Sequence, residues 1–129
     1  MNSNNQPVVL VVDDIPTNNV LIKALLKGKD YEVILSQSGA EALGIAQERV
    51  PDIILLDIMM PVMDGYEVLA RLRSNERTKN IKVIVISALA NKDDIRKAME
   101  IGADGYLTKP MVPAQLYEIL EKFTQNPGQ

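Results

Sequence analysis

Five residues of this chain end apolar runs with groups that can do chemistry. Asp13 and Asp14 follow "PVVLVV", Asp57 follows "IILL", Ser87 follows "IKVIVI" and Lys109 follows "DGYLT". Each has an ordinary structural reading: Asp14 could cap a helix beginning near Pro16, Ser87 could be a turn hydroxyl, and Lys109 a solvated lysine before a proline. Delivered to one place, three carboxylates repel and raise one another's pKa unless a cation neutralises them. The chain has no histidine and no cysteine, so such a pocket is all-oxygen and selects a hard cation, for which Mg2+ is the best fit. A lysine and a hydroxyl beside it would supply a second positive charge and a hydrogen bond to a phosphate. Mg2+, lysine, serine and a carboxylate nucleophile make a phosphoryl-transfer site.

The elements needed to bring these residues together can be read from the periodicity. "PVVLVVDD", "YEVILS", "DIILLD", "IKVIVIS" and "DGYLTKP" are short apolar or β-branched runs, mostly continuous rather than alternating, as in strands buried on both faces. Helical spacing lies between and after them, with apolar faces expected at Val20, Leu21, Ala24 and Leu25, at Val68, Leu69 and Leu72, and at Leu116, Ile119, Leu120 and Phe123. Ser38 with Glu41 forms a capping box, Gly28 and Gly102 stand where helices should end, and Pro113 suits a first helical turn. Strand and helix alternating along the chain predict a parallel α/β sheet covered by helices on both sides and joined by right-handed crossovers. In an open sheet of this kind ligands bind at the carboxyl ends of the strands. All five residues are predicted to meet there.

Composition narrows the function classes. The 129 residues suffice for one domain with a real core, and only residues 1–6 and 124–129 read as flexible tails. Without cysteine there is no disulfide framework, zinc-thiolate site or thiol nucleophile, and without histidine no Ser-His triad or imidazole base. A formal charge of -3 with no long basic run argues against nucleic acid as a partner. No apolar run approaches the roughly 18 residues that span a bilayer, and the polar start "MNSNNQ" is no signal peptide. A cytoplasmic protein without a membrane partner is the expectation.

In order and spacing, "VVDD", "LLDIMMPVMDG", "VIVISA" and "GYLTKP" resemble the receiver domain of two-component response regulators, the fold of the bacterial chemotaxis regulator, over residues 7–124. The resemblance implies a doubly wound (βα)5 sandwich of flavodoxin type with strand order 2-1-3-4-5. It makes Asp57 the phospho-acceptor. Asp14 and Asp57 would bind Mg2+ directly, Asp13 through water, and the Met59 carbonyl would complete the protein ligands. Lys109 and Ser87 would contact the phosphoryl group, Tyr106 would be the aromatic switch, and the Lys109–Pro110 peptide would be cis. The phosphoryl donor would be a histidine kinase or histidine phosphotransfer protein. The fourth helix, fifth strand and fifth helix would present the surface to a downstream effector. Such a domain catalyses only its own phosphorylation and dephosphorylation, so it is a signalling module rather than a conventional enzyme.

Three other functions compete with it. A phosphatase of the haloacid-dehalogenase type needs a second acid two residues after Asp57, where Met59 stands. A nucleotide- or flavin-binding module needs a phosphate loop, and neither GxGxxG nor GxxxxGK occurs. A phosphorylation-independent adaptor with the same pocket stays open. Receivers that dimerise through this surface usually carry a second acid beside the one in strand five and an arginine in the last helix. Here Gly105 follows Asp104 and "PAQLYEILEKF" has no arginine, so the expectation is a monomer or weak dimer, whether stand-alone or part of a longer protein.

Overall fold

The computed structural model describes residues 6–124. The expected tails at 1–5 and 125–129 lie outside the described residues, while Thr124 closes the last helix. Strands β1 (Val8–Val12), β2 (Glu32–Ser36), β3 (Ile53–Asp57), β4 (Lys82–Ser87) and β5 (Gly105–Thr108) alternate with helices α1 (Pro16–Leu26), α2 (Gly39–Arg49), α3 (Gly65–Arg73), α4 (Lys92–Ile101) and α5 (Pro113–Thr124). All strand pairs are parallel, in the order β2-β1-β3-β4-β5. The fold is the doubly wound sandwich that the sequence predicts.

Continuous apolar strands follow from burial on two faces, since successive side chains point to opposite sides of a sheet. On one side Leu10, Val12, Ile54, Leu56, Val83 and Val85 pack with Ala42 and Ala46 of α2, Val68, Leu69 and Leu72 of α3, and Ala98 of α4. On the other, Val9, Val11, Ile53, Leu55, Ile84 and Ile86 meet Ile22 and Leu26 of α1 and Leu116 and Leu120 of α5. The central strand β3 is buried throughout, whereas the edge strands β2 and β5 are mostly half-buried.

Caps end the helices where expected. Ser38 Oγ accepts from the Glu41 N–H at 3.1 Å, and the Glu41 carboxylate reaches back to the Gln37 N–H at 3.0 Å. Gly102 ends α4 at φ 131°, and α5 begins at Pro113. The expected face of α1 is corrected. Val20 and Leu21 are 60% and 51% exposed, and the buried positions are Asn19, Ile22 and Leu26. Nearly every position of "VLIKALL" is apolar, so periodicity could not choose a side, and a polar residue marks the buried one. Asn19 is buried because its Nδ2 donates to the carbonyls of Asp13 at 3.0 Å and Ser36 at 3.1 Å, tying α1 to the ends of β1 and β2.

Candidate functional site: an acidic pocket at the carboxyl ends of the strands

Strand register brings the predicted residues level. Val12 pairs with Leu56 and Asp57 with Ile86, so Asp13 and Asp57 follow at neighbouring strand ends. Ser87 pairs with Thr108, which puts Lys109 one residue beyond. One carboxylate oxygen from each of Asp13, Asp14 and Asp57 lies within 4.8 Å of the other two. Lys109 Nζ reaches over them, 3.1 Å from Asp13 Oδ2 and 3.6 Å from Asp57 Oδ2. The Lys109–Pro110 peptide is cis.

The three carboxylates are not equally satisfied. Asp13, 3% exposed, accepts the Ile15 N–H on Oδ1 at 2.9 Å, and Asn18 Nδ2 and Lys109 Nζ on Oδ2, both at 3.1 Å. Asp57, 5% exposed, accepts the Met59 N–H on Oδ1 at 3.3 Å. Asp14 Oδ1 is buried with no hydrogen-bond partner among the described residues. The helix-cap reading of Asp14 falls away, because Ile15 occupies the N-cap of α1 and makes no side-chain cap bond. Burial pushes the Asp57 carboxyl above the usual carboxylate range; Lys109 pulls it down, Asp13 pushes it up, the Met59 N–H pulls it down and Asp14 pushes it up. One ammonium does not balance three carboxylates. A converging oxygen cluster with an orphaned carboxylate oxygen fits a hard divalent cation held by Asp13, Asp14 and Asp57.

The loop after Asp57 is tightly specified. Met60 N donates to Ile58 O at 3.1 Å, Met63 N to Pro61 O at 2.8 Å, and Gly65 N back to Ile58 O at 2.8 Å. Asp64 caps α3 by accepting the Glu67 N–H at 3.0 Å. A Cβ on Gly65 would meet the Asp57 carbonyl oxygen and lie 2.6 Å from Ile58 Cα. Only glycine fits there. The Met59 side chain is 59% exposed.

Ser87 and Tyr106 belong to one hydrogen-bonded chain. Ser87 is fully buried and its Oγ accepts the Leu89 N–H at 3.1 Å, while the Tyr106 hydroxyl donates to Leu89 O at 2.6 Å. The Tyr106 ring, half-buried, packs against the core, so it is already turned inward. Burial pushes its hydroxyl upward, with Ser87 opposing and Asp94 and Asp57 adding to the rise. Sequence reasoning missed Asn18 and Asn19, which hold Asp13 by side chain and backbone respectively. The available signal was two amides one α-turn beyond a paired acid.

The model of the response regulator receiver domain matches residues 9–121. Response regulator PleD of Caulobacter vibrioides is 41% identical over 117 residues, which are 91% of this chain but only 26% of that protein. The polar-differentiation response regulator DivK of Brucella ovis is 35% identical over 115 residues, 89% of this chain and 94% of that one. Among solved structures, Vibrio cholerae chemotaxis protein CheY4 superposes with a TM-score of 0.86 at 30% identity, covering 92% of this chain and 98% of that chain. The receiver domain of the sensor histidine kinase PA1611 from Pseudomonas aeruginosa, with a magnesium ion coordinated in its active site cleft, gives 0.84 at 32% identity, covering 92% and 97%. Register, acidic pocket, lysine and these matches agree, and the chain belongs to the response regulator receiver domains of two-component signalling.

Proposed function

We propose that this domain is a phosphorylation-dependent switch in which Asp57 accepts a phosphoryl group from a histidine kinase or histidine phosphotransfer protein. The observation that carries this reading is a buried carboxylate at the end of β3, sharing one ammonium with Asp13 and facing the orphaned Asp14 oxygen. An oxygen of Asp57 attacks phosphorus, the P–N bond of the donor phosphohistidine breaks, and the histidine nitrogen keeps the electron pair. These 129 residues contain no histidine, so the donor histidine lies outside this domain. Bound Mg2+ would supply positive charge against the carboxylates and the phosphoryl oxygens, held by Asp13, Asp14, Asp57 and the Met59 carbonyl. Lys109 adds the second charge, released from Asp13 toward the new group. The pocket then acts as a signalling module whose product is a conformation.

That conformation is read through Ser87. A phosphoryl oxygen on Asp57 is a strong acceptor for the Ser87 hydroxyl, whose movement carries Leu89, and Leu89 O holds Tyr106. The effector surface is that of α4, β5 and α5. With Mg2+ and phosphoramidate, amide NMR shifts over residues 88–106 should change in the parent, chelation should abolish both label and shifts, and Ser87→Ala should keep the label but lose the distal shifts. Equal distal shifts in the two proteins would remove Ser87 as the relay. Tyr106 already facing inward favours one second reading, an adaptor that binds its partner without phosphate; distal shifts absent in the labelled parent would support it.

The label should persist. Met59 and Leu89 flank the path of the attacking water in this reading, and neither side chain can orient water by hydrogen bonding. Met59→Asn combined with Leu89→Glu should shorten the acyl phosphate lifetime about tenfold or more, as positioned acid–base groups do. Decay of the label after donor removal measures it, and an unchanged rate would count against the assignment.

A further inference from the structure

The amide of Asn18 is committed to the acidic pocket rather than to its own helix. Asn18 is the third residue of α1, after Pro16 and Thr17, where a side chain ordinarily reaches back to the N–H of the cap residue. Here that N–H, of Ile15, is already taken by Asp13 Oδ1 at 2.9 Å. Asn18 Nδ2 donates to Asp13 Oδ2 instead, at 3.1 Å. Lys109 Nζ approaches the same oxygen, also at 3.1 Å, and stands 3.6 Å from Asp57 Oδ2. One acceptor atom thus carries two donors: a neutral one fixed to a helix, and a charged one shared with the nucleophile.

The two donors part company once a phosphoryl group stands on Asp57. Its charge draws the ammonium toward Asp57, and Lys109 can follow only by loosening its hold on Asp13. At 3% exposure Asp13 has little access to water as a replacement donor, and a buried carboxylate that loses a partner is costly. We propose that Asn18 is a positioning residue that keeps Asp13 Oδ2 hydrogen-bonded while Lys109 transfers its charge from Asp13 to the phosphoryl group; this rests on Asp57 being the acceptor. An amide suits the task because it donates without charge. An ammonium at position 18 would oppose a cation in the pocket, and a carboxylate would add a fourth negative charge with no proton to give.

The test compares the parent with Asn18→Ala and with Asn18→Asp, which keeps the shape and removes the donor. Labelling by phosphoramidate at saturating Mg2+ is followed by intact mass. The Asn18 side-chain amide resonance of the parent is recorded at saturating Mg2+ and again after addition of beryllofluoride. Both variants should label about tenfold more slowly, the equivalent of one charge-assisted hydrogen bond. The amide resonance should move when beryllofluoride binds, because Asn18 is then left as the side-chain donor on that oxygen. A parental rate in either variant, or an amide resonance that stays in place while beryllofluoride binds, overturns the role. A parent that takes no label and binds no beryllofluoride overturns the acceptor reading, and this one with it.

Discussion

Asp57→Asn should abolish phosphoryl incorporation and, without metal, raise the melting temperature. The first effect follows because the amide has no nucleophilic oxygen to offer the phosphorus atom. The second follows from the sign of the Asp57 shift. Burial raises its pKa in the fold, and Asp13 and Asp14 add to the rise while Lys109 opposes it. A carboxyl with a raised folded pKa favours the fold when protonated, so its ionisation costs stability. That cost is absent below the ordinary aspartate range near about 3.9 and grows as pH rises through the higher folded value. At pH 7 in chelator the variant escapes it and should melt above the parent. The difference should close toward pH 4. Added Mg2+ should stabilise the parent more than the variant, since a ligand stabilises only through its affinity for the folded site. Melting curves across pH, with and without chelator, together with intact mass after phosphoramidate treatment, measure all of this. Undiminished labelling, or a variant less stable than the parent in chelator at neutral pH, would refute the assignment.

Arg73→Ala should cost the fold about 3 kcal/mol and lower the melting temperature by roughly 10 °C. Arg73 lies in the last turn of α3 with its side chain 20% exposed. Its guanidinium donates to the carbonyls of Gly102 at 3.0 Å, Lys79 at 3.0 Å and Ile81 at 2.7 Å, and to Asp104 Oδ2 at 2.9 Å. Truncation strands three carbonyls and leaves Asp104 only the Val83 N–H at 2.9 Å. Four hydrogen bonds are lost together, and the acceptors at Gly102, Ile81 and Asp104 are part-buried while that at Lys79 is open to water, which is why one residue carries so large an effect. Lysine cannot serve four acceptors spread in a plane, so Arg73→Lys should recover little. Phosphoryl uptake per folded molecule should remain at the parental level, because these contacts gather at the amino ends of β4 and β5, opposite the pocket. Chemical denaturation gives the stability, and a loss under 1 kcal/mol would show the network to be ornamental.

The legible parts of the sequence were those where one physical rule dominates. Strands buried on both faces must be continuously apolar, which marks β1, β3 and β4, and the half-buried edges β2 and β5 were still short apolar runs. Strand ends in a parallel sheet converge, so Asp13, Asp14, Asp57, Ser87 and Lys109 could be placed together before any register was known. Where two rules compete, sequence was silent. The buried face of α1 was hidden because its apolar residues surround the helix and a hydrogen-bonded asparagine decides the matter. Asp104 could be read as an acid available for a dimer contact, yet it is bound within the domain by Arg73, whose partners come from two separate segments, 79–81 and 102–104. The Tyr106 hydroxyl is met by one carbonyl, Leu89 O, in a loop with no periodic signature.

Gly65 gives the pocket two rims of different stiffness. With no room for even a methyl between the first turn of α3 and the backbone of Asp57 and Ile58, the Asp57 side is closely packed on α3. On the facing side, two side-chain hydrogen bonds join Ser87, Leu89 and Tyr106. A phosphoryl group on Asp57, as proposed, would push against an anvil on one side, and the displacement would be directed into the other.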